Sequence, residues 1–264
     1  VAESRFPSED EIRRAVEQNE ADFIGCHIGH QITEGIVSVP SVKGVSTSNV
    51  GWNHIHLHPG VIVTNTPGVL AGTIADYTVS LILANLRNIT GLNQHVWSGQ
   101  WQPGEKWDLD RHITKNTENL TYGILGLGEI GREVVRRVAP WGIHIAYNDI
   151  FQSAEMEEQY PNLTYYEDVE QLFKAADIVS LHIPLDDGTR HFVGEHLLRL
   201  MRPRALLVNT ARGAIIDFEA LIRLLRNKEI AIHLAFDVYE EEPIPAGVLE
   251  QFRQINAERP DLRF

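Results

Sequence analysis

An α/β fold built on a doubly wound parallel sheet, with a second and smaller α/β unit before it, is predicted by three observations. From Asn119 onward the chain alternates strand-like and helix-like segments without interruption, the pattern of parallel strands joined by crossover helices. The runs Asp177-Ile178-Val179-Ser180-Leu181 and Ala205-Leu206-Leu207-Val208 are too continuously apolar for strands with one wet face, and suit strands covered on both sides. Gly126-Leu127-Gly128-Glu129-Ile130-Gly131 stands where one such strand gives way to a helix.

The elements follow in order. Residues 8–19 predict a helix with Ser8 as N-cap and Ile12 and Val16 on one face. Short apolar runs at 21–27, 42–47 and 60–66 predict the strands of the small unit, and Thr66-Pro67-Gly68 is a turn signal. A helix over 73–87 follows, with Ala75, Val79, Ile82 and Leu83 on one stripe. Residues 97–110 predict a surface connection packed down by Trp97, Trp101 and Trp107. Strands are then predicted at 120–126, 143–148, 177–183, 204–210 and 232–238, and helices at 129–139, 167–175, 194–201 and 217–227. In the last of these helices Asp217 is the N-cap and Phe218, Leu221, Ile222 and Leu225 form the buried stripe. Arg263 and Phe264 read as the approach to a further strand. The domain division expected is 1–70 and 71–264.

With 264 residues and 43% hydrophobic content, the chain can build a packed core. Its formal net charge of -13 disfavours nucleic acid and anionic membranes as partners, since both select basic surfaces. Cys26 is the single cysteine, so no intrachain disulfide forms and a reducing compartment fits. No run is long and apolar enough to span a bilayer and no signal-peptide pattern is present; a cytoplasmic protein without membrane partners is expected.

The glycine run gains force from its context. Gly126 permits a tight turn, Gly128 lets the backbone approach a pyrophosphate, and Gly131 lets helix and strand pack closely. Glu129 and Ile130 would open a helix whose N-terminal N–H groups and dipole face the phosphates. Asp149 lies 18 residues beyond Gly131, at a strand end, where a carboxylate holds ribose hydroxyls and repels a 2′-phosphate. NAD is therefore the expected cofactor. Two further strand ends carry charge: Asn209-Thr210-Ala211-Arg212-Gly213, and Asp237-Val238-Tyr239-Glu240-Glu241-Glu242-Pro243. Ligands of open α/β sheets bind at that carboxyl edge. An arginine there can hold a carboxylate and polarise a carbonyl.

These segments, with Asn65-Thr66-Pro67-Gly68, Ala75-Asp76 and His182-Ile183-Pro184-Leu185 plus Thr189, resemble the D-isomer-specific 2-hydroxyacid dehydrogenases, most nearly the glyoxylate/hydroxypyruvate reductases. The resemblance implies a Rossmann-type NAD-binding domain and a flavodoxin-like substrate-binding domain, the latter N- and C-terminally incomplete over 1–70. It implies an NAD(H)-dependent oxidoreductase interconverting a small 2-oxo acid and its D-2-hydroxy acid, acting as a homodimer. Arg212 and Glu242 would be catalytic, Glu242 by orienting a histidine and raising its pKa. Val50 and Gly51 in Thr47-Ser48-Asn49-Val50-Gly51-Trp52 would bind the substrate carboxylate by backbone N–H groups, together with Arg212. Cofactor contacts are implied for Thr78, Gly126, Gly128, Glu129, Ile130, Gly131, Asp149, Ile183, Pro184, Thr189, Thr210, Ala211, Arg212 and Asp237.

The chain departs from the family at Asn53, where aspartate is usual, and in a short 56–60 loop. None of the twelve histidines takes the place of the family's acid, which the pattern puts beyond Phe264. His54, His56 and His58 sit two residues apart but lack acidic or thiolate partners in the sequence, so no metal is expected; His182 and His191 are read as structural or surface residues. Two other readings stay open: an NAD-sensing corepressor on the same fold, and a phosphoglycerate dehydrogenase-type substrate.

Overall fold

The computed structural model describes residues 6–102 and 116–264. Two compact units are present, Val1–Leu70 and Ala71–Phe264.

The first unit begins with α1 (Glu9–Gln18), closed by a capping box in which Ser8 Oγ accepts the Glu11 N–H and the Glu11 carboxylate accepts the Ser8 N–H. Then come β1 (Phe23–Cys26), α2 (Glu34–Val37), β2 (Gly44–Thr47) and β3 (Ile62–Thr64). The strands pair in parallel in the order β1-β2-β3. Val16, Cys26, Ile32, Ile36, Val37, Val45 and Ile55 pack beneath them.

In the second unit, α3 (Ala71–Leu86) and α4 (Ile89–Trp97) precede β4 (Thr121–Leu125), α5 (Glu129–Val138), β5 (His144–Asn148), α6 (Ala154–Gln159) and β6 (Leu163–Tyr165). The second half is α7 (Val169–Ala175), β7 (Ile178–Leu181), α8 (Glu195–Leu200), β8 (Leu206–Asn209), α9 (Phe218–Arg226), β9 (His233–Phe236) and α10 (Ala246–Glu258). All six strands are parallel, in the order β6-β5-β4-β7-β8-β9. Chain direction across the sheet reverses between β4 and β7, the position where a doubly wound sheet opens a crevice for a ligand.

Separate apolar layers cover the two faces. Leu172, Phe173, Val179, Leu181, Leu207 and Leu221 belong to one, Tyr122, Ile124, Val134, Ile145, Ile178 and Val208 to the other. β7 is buried at every residue, as its unbroken apolar run requires. Asp217 caps α9 by accepting the Ala220 N–H at 2.9 Å, which points Phe218, Leu221, Ile222 and Leu225 inward.

Several expectations need correction. β6, α4, α6 and α10 are elements that the sequence pattern does not predict. β6 is a three-residue edge strand, and the acidic α6 buries only Met156, so neither carries a strong apolar pattern. α4 follows Asn88, a left-handed residue, and buries none of its own residues. Trp97 ends α4 and is 83% exposed, and Trp101 is 58% exposed, so neither packs a connection down. Trp107 and the rest of 103–110 lie outside the described residues. Arg263 and Phe264, read as the approach to a further strand, lie outside the named strands, and the Arg263 carbonyl accepts the Leu234 N–H of β9 at 2.8 Å.

Candidate cofactor and active site

The glycine turn joins β4 to α5. Gly126 has φ of 96°, and a β-carbon on it would lie 2.8 Å from the His182 carbonyl carbon and 2.9 Å from the Ile183 nitrogen. Gly126 thus meets two demands, a left-handed backbone and contact with the end of β7. A β-carbon on Gly131 would stand 2.2 Å from the Gly126 oxygen, so this glycine lets the helix close onto the turn. Gly128, the N-cap of α5, has open space where its side chain would be, and Glu129 and Ile130 form the first turn of the helix.

Asp149 follows β5, and its Oδ2 accepts the Leu127 N–H at 2.6 Å while Oδ1 accepts the Phe151 N–H at 3.4 Å. The carboxylate therefore ties the glycine turn to the neighbouring strand end. Tyr165, at the end of β6, donates to the Asp149 carbonyl at 3.2 Å and steadies the same turn.

Across the switch point, the His182 N–H bonds to the Leu125 carbonyl at 2.7 Å. Ile183 and Pro184 continue outward, and Thr189 closes the turn after them. Its hydroxyl donates to the Pro184 carbonyl at 2.7 Å and accepts the Asp186 N–H at 2.8 Å. Behind this edge the Tyr122 hydroxyl lies 2.7 Å from Ser180 Oγ, which lies 2.8 Å from His182 Nε2. Burial pushes the His182 imidazole down to about 4 and the Tyr122 hydroxyl up.

Thr78 of α3, fully buried, reaches the end of β8: its hydroxyl lies 2.8 Å from that of Thr210 and donates to the Ile74 carbonyl at 2.8 Å. Since Thr78 spends its one hydroxyl hydrogen on Ile74, Thr210 is the donor between the two threonines.

Buried Asn209 organises the next two strand ends. Its Oδ1 accepts the Ala211 N–H at 3.0 Å, its Nδ2 donates to the Arg212 carbonyl at 2.9 Å, and its own carbonyl accepts the Asp237 N–H at 3.0 Å. Arg212 is half-buried and donates from Nη1 to the Ala211 carbonyl at 2.7 Å. Burial draws the pKa of its guanidinium down, and the charge of Glu242 opposes that shift. Glu242 Oε1 accepts the Tyr239 N–H at 3.0 Å. Asp237 is exposed at the end of β9.

Thus Thr78, the glycine turn, Asp149, Ile183, Pro184, Thr189, Thr210, Ala211, Arg212, Asp237 and Glu242 all fall in the second unit, most at strand carboxyl ends. Three features were not read from the sequence: the role of Asn209, the approach of Gly213 to Tyr239, and a contact between His191 and Glu240. The last two, and the Asn209 carbonyl's bond to Asp237, join residues far apart in the chain, and local spacing carries no signal for such pairs.

Val50 and Gly51 belong to the first unit. Their loop is anchored by Asn49 Oδ1, which accepts the Ile28 N–H at 2.6 Å, and by Asn65 Nδ2, which donates to the Val50 carbonyl at 2.7 Å. The Val50 and Gly51 N–H groups have no hydrogen-bond partner among the described residues. His54 is buried with Nε2 3.2 Å from Thr47 Oγ1 and 3.8 Å from Cys26 Sγ, while His56 is exposed. Among the described residues no three His, Cys, Asp or Glu side chains gather as metal ligands.

Strand order, glycine turn and terminal acidic residue define a dinucleotide-binding α/β domain. The profile of the D-isomer specific 2-hydroxyacid dehydrogenase, NAD binding domain, matches residues 79–256, and the chain belongs to that family. It is 36% identical over 244 residues to a glyoxylate reductase of Thermofilum pendens, covering 90% of this chain and 70% of the relative. It is 33% identical over 231 residues to a D-3-phosphoglycerate dehydrogenase of Methanocaldococcus jannaschii, covering 85% of this chain and 42% of the relative. Among solved structures, a glyoxylate reductase from Paecilomyes thermophila superposes with a TM-score of 0.76 at 29% identity, over 90% of this chain and 74% of that one. The site residues fit NAD: open space at Gly128 would admit a pyrophosphate at the α5 N-terminus, and Asp149, bonded to the glycine turn, would offer a carboxylate to a ribose.

Proposed function

We propose that the protein reduces a small 2-oxo acid to its D-2-hydroxy acid with NADH, glyoxylate or hydroxypyruvate being the favoured substrate. The observation that carries this reading is the half-buried Arg212 at the carboxyl edge of the sheet, with the Glu242 charge acting on it. A bare nucleotide-binding module has no need of a partly desolvated arginine and a carboxylate at the same edge.

Bound NADH supplies the hydride. The chain's part is to place charge and protons. Arg212 holds the carboxylate or carbonyl oxygen of the substrate and stabilises the negative charge that grows on that oxygen. Glu242 orients the proton-donating histidine of the family pattern and favours its charged form. Asp237 lies beside the nicotinamide, and Thr210, Ala211, Ile183, Pro184 and Thr189 line the rest of the cofactor's path; Thr78, fully buried and bonded to Ile74 and Thr210, supports the end of β8 from behind instead of meeting the cofactor. In the first unit, taken as substrate-binding, the Val50 and Gly51 N–H groups receive a substrate carboxylate. The preference for glyoxylate or hydroxypyruvate rests on the Ser46–Gly51 loop and on the similarity to a glyoxylate reductase.

A homodimer and a cytoplasmic location belong to the same proposal. Tyr77, Ile89, Val96 and Trp97 place exposed apolar surface on α3 and α4, and sedimentation of the full-length protein tests the dimer. No helix among the described residues is long and apolar enough to cross a membrane.

The deciding experiment is NADH oxidation by full-length protein with glyoxylate, hydroxypyruvate, phosphohydroxypyruvate and pyruvate. Turnover fastest with the first two supports the reading. Turnover mainly with the phosphorylated acid moves the substrate to the phosphoglycerate type. NADH binding with no turnover in a broad panel removes the enzyme reading in favour of an NAD sensor.

A further inference from the structure

One side-chain contact in the second unit has no place in the chemistry just described. His191 Nε2 lies 2.6 Å from Glu240 Oε1, with the two side chains 42% and 34% exposed. They come from the two segments that frame the Arg212 turn. His191 follows the Pro184–Thr189 turn by two residues, and Glu240 precedes Glu242 by two.

The backbone around the pair is closely determined. His191 has φ of 55°, a left-handed conformation that a residue with a β-carbon holds only where its surroundings impose it. Its N–H bonds to the Ala214 carbonyl at 2.8 Å, and the Val193 N–H bonds to the Ile215 carbonyl at 3.0 Å, so this segment is sewn to the residues just after Arg212. On the other side a β-carbon on Gly213 would lie 2.4 Å from the Glu240 nitrogen, so the Glu240 peptide rests on the same turn. The backbone thus delivers both side chains to one point, from a segment bearing Thr189 and from a loop bearing Asp237 and Glu242. The imidazole can donate Nε2–H to the Glu240 carboxylate.

We propose that His191 and Glu240 are positioning residues that couple the cofactor turn at 183–189 to the loop at 237–243, holding Asp237 and Glu242 in place when NAD(H) is bound. The inference rests on the NAD(H) reading of this unit and deepens it. Neither side chain touches the reacting atoms. A partly exposed pair contributes little to global stability, so its removal shows in cofactor affinity and turnover rather than in melting.

The test uses full-length protein as His191→Ala, Glu240→Ala, the double variant and His191→Gln, which keeps an N–H donor on a side chain of similar reach. Melting temperature, NADH affinity by fluorescence titration, and kcat and KM with the preferred 2-oxo acid are measured. Each alanine variant is expected to weaken NADH binding and lower kcat by about three- to fivefold, the scale of a partly exposed ion pair. Melting should be unchanged, the double variant no worse than either single, and His191→Gln within about twofold of wild type. Single variants equal to wild type, effects that multiply in the double variant, or a glutamine variant as impaired as alanine would each overturn the proposal. If His191→Ala does not fold, Glu240→Ala and His191→Gln decide. Wild-type protein that binds NADH without turning over any 2-oxo acid defeats the proposed function, yet the NADH affinities still judge the coupling.

Discussion

Gly213 and Tyr239 meet backbone to backbone: a β-carbon on Gly213 would stand 1.9 Å from the Tyr239 carbonyl carbon and 2.0 Å from its oxygen. The glycine after Arg212 therefore serves proximity, since its φ is not in the left-handed range. This contact brings the end of β8 against the loop after β9, and lets the Glu242 charge act on Arg212. Gly213→Ala should force the two loops apart. Overpacking of this kind costs about 1–3 kcal/mol, which in a chain of this size lowers the melting temperature by roughly 3–10 °C. NADH oxidation should fall by more than tenfold, beyond what the melting change accounts for. A variant with wild-type melting and turnover would show that the loops need not touch.

Asp149 is engaged twice, with the Leu127 and Phe151 N–H groups. Its carboxylate is thus already aimed at the glycine turn, where in the proposed role it would repel a 2′-phosphate. Asp149→Ala should raise the NADH KM by about tenfold, the loss of a charge-assisted hydrogen bond, while the NADPH KM changes little or falls. The quantity to measure is the ratio of kcat/KM for the two cofactors. Wild-type protein that uses NADPH as well as NADH would show that Asp149 does not select.

Much of this was legible from the sequence because it is local. The glycine spacing, the acidic residue at the end of β5 and the apolar runs of β7 and β8 each state their structure within a few residues. Elements with weak apolar patterns escaped: β6 spans three residues at the sheet edge, and α4 buries none of its residues. Aromatic content misled at Trp97 and Trp101, where large apolar side chains were assumed to pack inward and instead face solvent. In the site, Arg212 and Glu242 stood out as charges at strand ends. Their relation did not, because Gly213, Asn209 and the Tyr239 peptide set it, and these converge only when β8 and β9 lie side by side.

Arg212 should not tolerate replacement by lysine. A lysine keeps the charge but loses the planar fork that meets two oxygens at once. Arg212→Lys should lower kcat/KM for the 2-oxo acid by about 100- to 1000-fold, the loss seen when one preorganised donor to a developing oxyanion is removed. NADH affinity should change by less than tenfold, since the glycine turn and Asp149 remain. Stopped-flow binding with steady-state turnover separates the two effects. Loss of NADH binding equal to the loss of turnover would reassign Arg212 to the cofactor alone.

His182 should make the protein sensitive to mild acid. Its folded-state pKa is pushed down to about 4 by burial, below the ordinary value of 6.5, and Nδ1 has no hydrogen-bond partner among the described residues. Because the folded value is the lower one, the unfolded chain takes up this proton first as pH falls. The contribution is therefore fully present above about pH 6.5 and is lost progressively toward pH 4, by about 3 kcal/mol in all. Tyr122, Ser180 and His182 form a buried hydroxyl–hydroxyl–imidazole chain with contacts of 2.7 and 2.8 Å. Protonating the ring puts a charge at the end of this chain, beside the Gly126 turn. Urea unfolding of wild type and of His182→Asn at pH 7 and pH 4.5 provides the comparison. Wild type should lose about 2 kcal/mol more than the variant across that interval, and an equal loss in both would place the acid sensitivity elsewhere.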